Sequence, residues 1–377
     1  MSFHSSHPKP APTGLERLLD EPSLLGQTGR LGLLTHPAGV TQTLLPSALA
    51  LLQRGFPLER LYGPEHGIDG SGQAGEAPEV QADRTTGLPT HSLYEKSLGE
   101  MADLIGQVDT LLVDLQDVGV RFYTFVSTLV QVLEAAQQKG VRVVVLDRPN
   151  PLGFRVEGPV LQPAFRSFVG MLEIPLRHGL TLGECGRLVH PGLEVIPCNP
   201  QTPFGLGGLP WVPPSPNLPH PETVHLYVGM GLVEATLASE GRGTALPFQV
   251  AGAPGLDAPA LAARLNALKL PAVRFRPTYF KPTFSKHQGV LCAGVQVHLL
   301  ELPQEALPIG LAVLGALAEQ GVRILPDWWQ KLLGIPFAPD LLYPDTALER
   351  TRLWADQARK YALEALQPIW LYPRSGF

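Results

Sequence analysis

Glutamate and histidine stand side by side at positions 65 and 66, inside LYGPEHGIDG, held between Pro64 and Gly67 directly after an apolar run. A loop that only reverses the chain has no use for that pair. At the end of a buried strand the charged form of such a carboxyl is desolvated, which favours a proton it can donate at neutral pH. His66 would then tune the acid or hold a substrate. The competing reading is a surface turn, with Glu65 capping the next segment and His66 solvated.

Two more clusters have similar chemistry. Asp114, Gln116, Asp117, Arg121 and Tyr123 fall within DLQDVGVRFYTF, and Asp147, Arg148 and Asn150 fall within LDRPNP. A structural reading gives Asp114 and Arg121 to an ion pair, Tyr123 to the core, and Asp147, Arg148 and Asn150 to backbone bonding in a proline-fixed loop. It leaves Gln116 and Asp117 unexplained. Arg177 and His178 in LRHG, Asn217 in PPSPNLP, Glu76, and Glu240 and Arg242 in SEGRGT are further candidates for binding a substrate.

The inventory is carboxylate, amide and guanidinium. There is no H-x-x-x-H or H-E-x-x-H pair for a metal, no G-x-S-x-G and no Walker loop. Residues 70–75 fit G-x-G-x-x-G, but loop precedes them and Pro78 follows, so a flap beside Glu65 is expected rather than a dinucleotide site. No cofactor is called for. Carboxylates and amides without metal ligands suit glycoside hydrolysis, where one carboxylic acid protonates the leaving oxygen and a second carboxylate attacks or activates water.

The elements that position these residues follow from periodicity. Arg30 to Leu34, Leu58 to Tyr62, Thr110 to Leu115 and Val141 to Leu146 predict strands apolar on both faces. Pro46 to Arg54 and Thr124 to Lys139 predict helices between them, with Thr124, Ser127 or Thr128 as caps. Strands alternating with helices make an α/β, Rossmann-like parallel sheet, and ligands of such sheets sit beyond the carboxyl ends of the strands. Three strand ends are thus expected to bring polar groups to one rim. The proline-rich run from Pro197 to Pro221 marks a crossing, giving a catalytic domain at 1–210 and a smaller α+β domain at 211–377. In the latter, a strand near Val290 to Leu299 and helices at Leu307 to Glu319 and Ala347 to Leu366 are expected.

Composition narrows the class. With 44% apolar residues, 17% charged residues and a net charge of −5, the chain is a packed globular protein without the basic surface a nucleic acid needs. Cys185, Cys198 and Cys292 form neither a disulfide framework nor a thiolate metal site. The first residues lack the apolar core of a signal peptide, and no stretch is apolar enough to span a bilayer, so a cytoplasmic location is expected.

An ordered series of strings, GPEHG with a following AGE, DLQDVGVRFYTF, VVVLDRPNPLG, VEGP, PLRHGLTLGE, WVPPSPN and SEGRGT, resembles the NamZ-type exo-β-N-acetylmuramidases from about Leu33 to Gln296. The resemblance implies a Rossmann-like domain joined to a smaller one with the cleft between them. It implies an enzyme releasing N-acetylmuramic acid from the non-reducing end of peptidoglycan fragments, with Glu65 as the catalytic glutamate. Asp117 is favoured as the second carboxylate over Asp114, Glu76 and Glu240. The lactyl carboxylate of muramic acid calls for a bidentate guanidinium from Arg121, Arg148, Arg177 or Arg242. Two rivals stand beside this: a sugar-binding protein without turnover, and a metal-dependent hydrolase using His66, Asp117 and Asp147.

Overall fold

The computed structural model describes residues 12–78 and 80–374. Among the described residues, eight strands lie in the first part of the chain: β1 (Leu31–Thr35), β2 (Leu58–Gly63), β3 (Thr90–Ser92), β4 (Thr110–Asp114), β5 (Arg142–Leu146), β6 (Glu157–Val160), β7 (Pro175–Arg177) and β8 (Glu194–Ile196). Six of them form one sheet in the order β3-β2-β1-β4-β5-β8, with every pairing parallel. Alternate side chains point to opposite faces of a strand, and the sequence makes both faces apolar. On one face Leu31, Leu33, Leu112, Val144 and Leu146 pack with Leu15, Leu18 and Leu51 of two short helices. On the other, Leu34, Leu111, Val113, Val143 and Val145 join a core that includes the helices Leu98–Ile105 and Phe125–Lys139.

The four expected strands and two expected helices of this region are present, with ends shifted by a residue or so. β3 and β8, at three residues each, occupy the two edges and have too few positions to show a period. The helices Leu98–Ile105 and Leu182–Val189 each open with a capping box, Ser97 with Glu100 and Thr181 with Glu184, a signal that the apolar period alone does not use.

The proline-rich run forms no strand and no helix until Pro221, which starts the helix Pro221–Met230. Beyond it, β9 (Val250–Ala253), β10 (Val273–Phe280) and β11 (Cys292–Leu299) make an antiparallel sheet in the order β10-β11-β9. The helix Leu307–Glu319 is buried over most of its surface and crosses Pro221–Met230 at Gly229 and Gly310. A Cβ on Gly310 would lie 2.1 Å from the Gly229 carbonyl oxygen, so only glycine permits this approach. The same core continues from the parallel sheet into these helices.

Polar ties fix the second half against the first. Glu157 accepts the Leu307 N–H at 2.5 Å, and Arg121 reaches the Leu332 carbonyl at 3.1 Å. The rings of Phe122 and Tyr227 meet edge to face at 5.0 Å, and Tyr227 meets Phe248 at 4.6 Å. The chain ends back on the first half, where the Tyr372 hydroxyl donates to Asp147 at 2.6 Å and Arg374 pairs with Glu184 at 2.5 Å.

Candidate active site

β2 ends at Gly63, and a compact turn follows. His66 and Gly67 both take positive φ, 74° and 79°, a conformation that costs a histidine strain and recurs where a loop is held for function. The turn is held by the His66 N–H on the Glu76 carbonyl at 2.8 Å and the Gly72 N–H on the His66 carbonyl at 3.0 Å. His66 Nδ1 faces the carbonyls of Gly72 and Gln73 at 3.1 and 3.2 Å, so Nδ1 carries the proton.

This loop places Glu65, 8% exposed, in a defined setting. The Gly75 N–H donates to Oε1 at 2.7 Å, and the Thr124 hydroxyl donates to Oε2 at 2.5 Å. Thr124 precedes the helix Phe125–Lys139 as a cap would, but its backbone is helical and its hydroxyl caps nothing. Its side chain is committed to Glu65 instead.

Glu65 opens into a cavity of about 370 Å³ between the two halves. The facing wall comes from the second half: Glu234, Glu240, Arg242 and Lys286. Arg242 Nη1 bonds Glu234 at 2.8 Å and Glu240 at 2.9 Å, and its guanidinium lies 4.9 Å from the centre of the Phe248 ring. Lys286 Nζ bonds the other Glu240 oxygen at 3.1 Å. Burial works against the charge on Glu240, but Lys286 and Arg242 outweigh it and hold that carboxyl below the usual carboxylate range. Glu234 moves the other way, pushed up by burial despite Arg242. Tyr94, Phe168, Tyr227 and Trp328 supply aromatic surface. Burial, and then the Glu65 charge, push the Tyr94 hydroxyl up to about 12.

Of the residues expected from sequence, Glu65, His66, Tyr123, Glu240 and Arg242 line this cavity. The ends of β4 and β5 do not deliver their polar groups to it. Asp114 takes both arms of Arg148, at 2.6 and 2.9 Å, so its partner is Arg148 and not Arg121. Gln116 donates to the Asp117 and Pro149 carbonyls, and its own N–H donates to His36 Nε2. Asp117 accepts the Gly119 N–H at 2.7 Å and stands 3.3 Å from His178 Nε2. Asp147 takes Thr181, Gly183 and Tyr372; Asn150 bridges Leu180 and Leu152. Arg121 donates to the carbonyls of Pro159, Ile174 and Leu332, and Arg177 to that of Leu152 with Glu157 3.9 Å away. Buried polar groups in a low dielectric need partners, and the bonds these side chains make are to the scaffold.

Two expected candidates hold the loop rather than the cavity. Glu76 accepts the Gln73 N–H at 2.9 Å, and Asn217 reaches the Gln73 side chain at 3.5 Å. Sequence reasoning missed Tyr94, Glu234, Lys286 and the role of Thr124. Glu234 lies six residues before Glu240, a proximity that was a usable signal, whereas Lys286 arrives from a distant loop.

In this sheet the strand order reverses between β1 and β4, where dinucleotides bind in related folds. Here the Asp114–Arg148 pair, the Arg148 bond to the Val40 carbonyl and the ring of Trp211 leave a space of only about 10 Å³. No helix follows the G-x-G-x-x-G loop, which serves instead to present the Gly75 N–H to Glu65. Among the described residues no group of three or more His, Cys, Asp or Glu is placed to hold a metal ion, and no helix is long and apolar enough to cross a membrane.

A parallel-sheet α/β protein that offers a buried carboxyl at a strand tip, and further carboxylates on the wall of the same sugar-sized cavity, falls in the class of glycoside hydrolases. The comparisons with known proteins name the group within that class. Residues 31–222 match the family described as exo-beta-N-acetylmuramidase NamZ, N-terminal, and residues 225–372 match its C-terminal counterpart, so the chain belongs to the NamZ exo-β-N-acetylmuramidase family. It is 42% identical over 314 residues to the peptidoglycan beta-N-acetylmuramidase NamZ of Bacillus subtilis, covering 80% of this chain and 76% of that one. Two crystal structures of DUF1343 family proteins from Bacteroides fragilis share the fold. One has a TM-score of 0.83 at 29% identity, covering 96% of this chain and 99% of that one; the other has 0.75 at 28%, covering 97% and 99%.

Proposed function

We infer that this glycoside hydrolase releases N-acetylmuramic acid from the non-reducing end of peptidoglycan fragments, with Glu65 as general acid and Glu240 as the second carboxylate. The observation that carries the reading is the setting of the Glu65 carboxyl. The Gly75 N–H on Oε1 and the Thr124 hydroxyl on Oε2 hold that carboxyl in one orientation at the edge of the cavity. Thr124 donates to the carboxylate that remains once the proton has passed to the leaving oxygen. His66, held through Nδ1 to the Gly72 carbonyl, lines the cavity beside Glu65 as a candidate for holding the substrate.

Glu240 displaces Asp117 from the role expected of it, because Glu240 lines the cavity and is held ionised by Lys286 and Arg242. Arg242 and Lys286 line the cavity, and Arg121, Arg148 and Arg177 are not among its lining residues. Arg242 and Lys286 are therefore the cations assigned to the lactyl carboxylate. The test is a Glu65→Gln variant, folded by circular dichroism, assayed on a chromogenic muramoside. General acid catalysis contributes about 10²–10⁴-fold, and a loss of that size is expected. Near-full activity would remove Glu65 from the role. A sugar-binding protein without turnover would bind muramoyl fragments and release no sugar.

A further inference from the structure

We propose that the saccharide leaving group of the reaction occupies a trough that begins at Glu65, on the side away from the cavity lined by both halves, and ends in a recess at residues 83–86. The proposal rests on the reading of Glu65 as the acid and adds the position of the departing sugar.

Three cavities adjoin in series. The first, of about 370 Å³, and a second, of about 190 Å³, share Glu65, His66 and Ser215 on their walls. The second shares His36, Pro37 and Asp69 with a third of about 350 Å³, which reaches Asp83, Arg84, Thr85 and Thr86. Glu65 thus marks the boundary between the first cavity and the trough. A general acid protonates the oxygen between the two sugars, so it must stand at that boundary.

The direction follows from the walls. The first cavity is lined by both halves of the chain and carries the Glu240–Arg242–Lys286 group opposite Glu65, the cations read above as the site of the muramic acid carboxylate. The trough draws on the first half and the proline-rich run alone. Its inner stretch is walled by Pro37, Pro213, Pro214 and Pro216 beside the polar side chains of His36, Asp69 and Ser215. Its outer recess sets Asp69, Asp83, Arg84, Thr85 and Thr86 among apolar neighbours such as Pro46, Leu61 and Ile68, and falls within the ~300–1,000 Å³ typical of small-ligand sites.

Chemistry selects the occupant. Asp69 spends Oδ1 on Ser71, and Asp83 spends Oδ2 on Thr85 and Thr86. The second oxygen of each accepts no hydrogen bond from any described residue, and each is an acceptor for a sugar hydroxyl or an acetamido N–H. Two carboxylates beside one guanidinium, Arg84, disfavour an anionic sugar. A neutral N-acetylated hexosamine fits, which is the unit that follows muramic acid in peptidoglycan.

The experiment compares two substrates: an aryl muramoside, whose leaving group ends at the first stretch, and a muramoyl oligosaccharide continuing into at least two further sugars. Thr85→Trp fills the recess from an exposed position, and Thr85→Arg is the milder variant should the first fail to fold. The ratio of kcat/KM for the oligosaccharide to that for the aryl muramoside is expected to fall about tenfold in Thr85→Trp, because binding energy remote from the reacting bond is lost. A ratio within twofold of the wild-type value in a folded variant, including equal loss on both substrates, overturns the trough. That outcome is separate from failure of the acid, which Glu65→Gln reads on the aryl substrate alone.

Discussion

Thr124 Oγ lies 2.5 Å from Glu65 Oε2, and this one contact joins the tip of β2 to the start of the helix that follows β4. A helix-opening threonine that caps its own backbone would leave the carboxyl oxygen without a protein partner. Here the helix begins without a side-chain cap and the Glu65 carboxyl gains a hydroxyl donor.

Thr124→Val should therefore lower kcat on a chromogenic muramoside by about 10–100-fold, the equivalent of a ~1.5–3 kcal/mol hydrogen bond to a charged group. Thr124→Ser should recover most of the rate. Equal rates for the Val and Ser variants would show that the hydroxyl has no part in the reaction.

Lys286 and Arg242 hold the Glu240 carboxyl low. Removing one cation by Lys286→Met weakens the ionised form, so the acidic limb of the kcat/KM profile should move to higher pH by about one unit. An unmoved limb would mean that the limb reports a different group.

Arg121 is a scaffold residue on this structure. Burial lowers its guanidinium to about 9, and it donates to backbone carbonyls from three separate segments. Arg121→Met should destabilise the fold by about 3 kcal/mol or more, since each buried carbonyl left unpaired costs about 1–3 kcal/mol. Urea denaturation measures it; full stability with a raised KM would return Arg121 to the substrate.

Asp147 is fully buried, and burial raises its carboxyl to about 6 from 3.8, against the pull of Thr181, Tyr372 and Gly183. Between those values the native state binds more proton than the unfolded chain. Its contribution to stability is complete below about pH 4 and lost as the pH rises through 6, about 3 kcal/mol in all. The stability difference between wild type and Asp147→Asn should shrink by that amount from pH 4 to pH 7. A difference constant across the range would contradict the assignment.

Much of the architecture was legible in the chain. β1, β2, β4 and β5 are apolar at consecutive positions because both faces of the sheet are covered, and that pattern needs no knowledge of distant contacts. The Glu65–His66 pair was legible for the same local reason: an acid braced by proline at a strand end has few structural uses.

The partners of the other polar residues were decided by tertiary structure. The sequence reading favours Asp117 over Glu240 as the second carboxylate, but Asp117 turns toward Gly119 and His178 while Glu240 faces the cavity with Lys286, forty-six residues away. Whether a buried carboxylate is catalytic or structural depends on which charges and donors the fold brings within about 3–4 Å of it, and Coulomb and hydrogen-bond energies fall off over that distance regardless of separation along the chain. The sequence by itself determined the strand tip that holds Glu65; only the packing of the second half supplied the wall opposite.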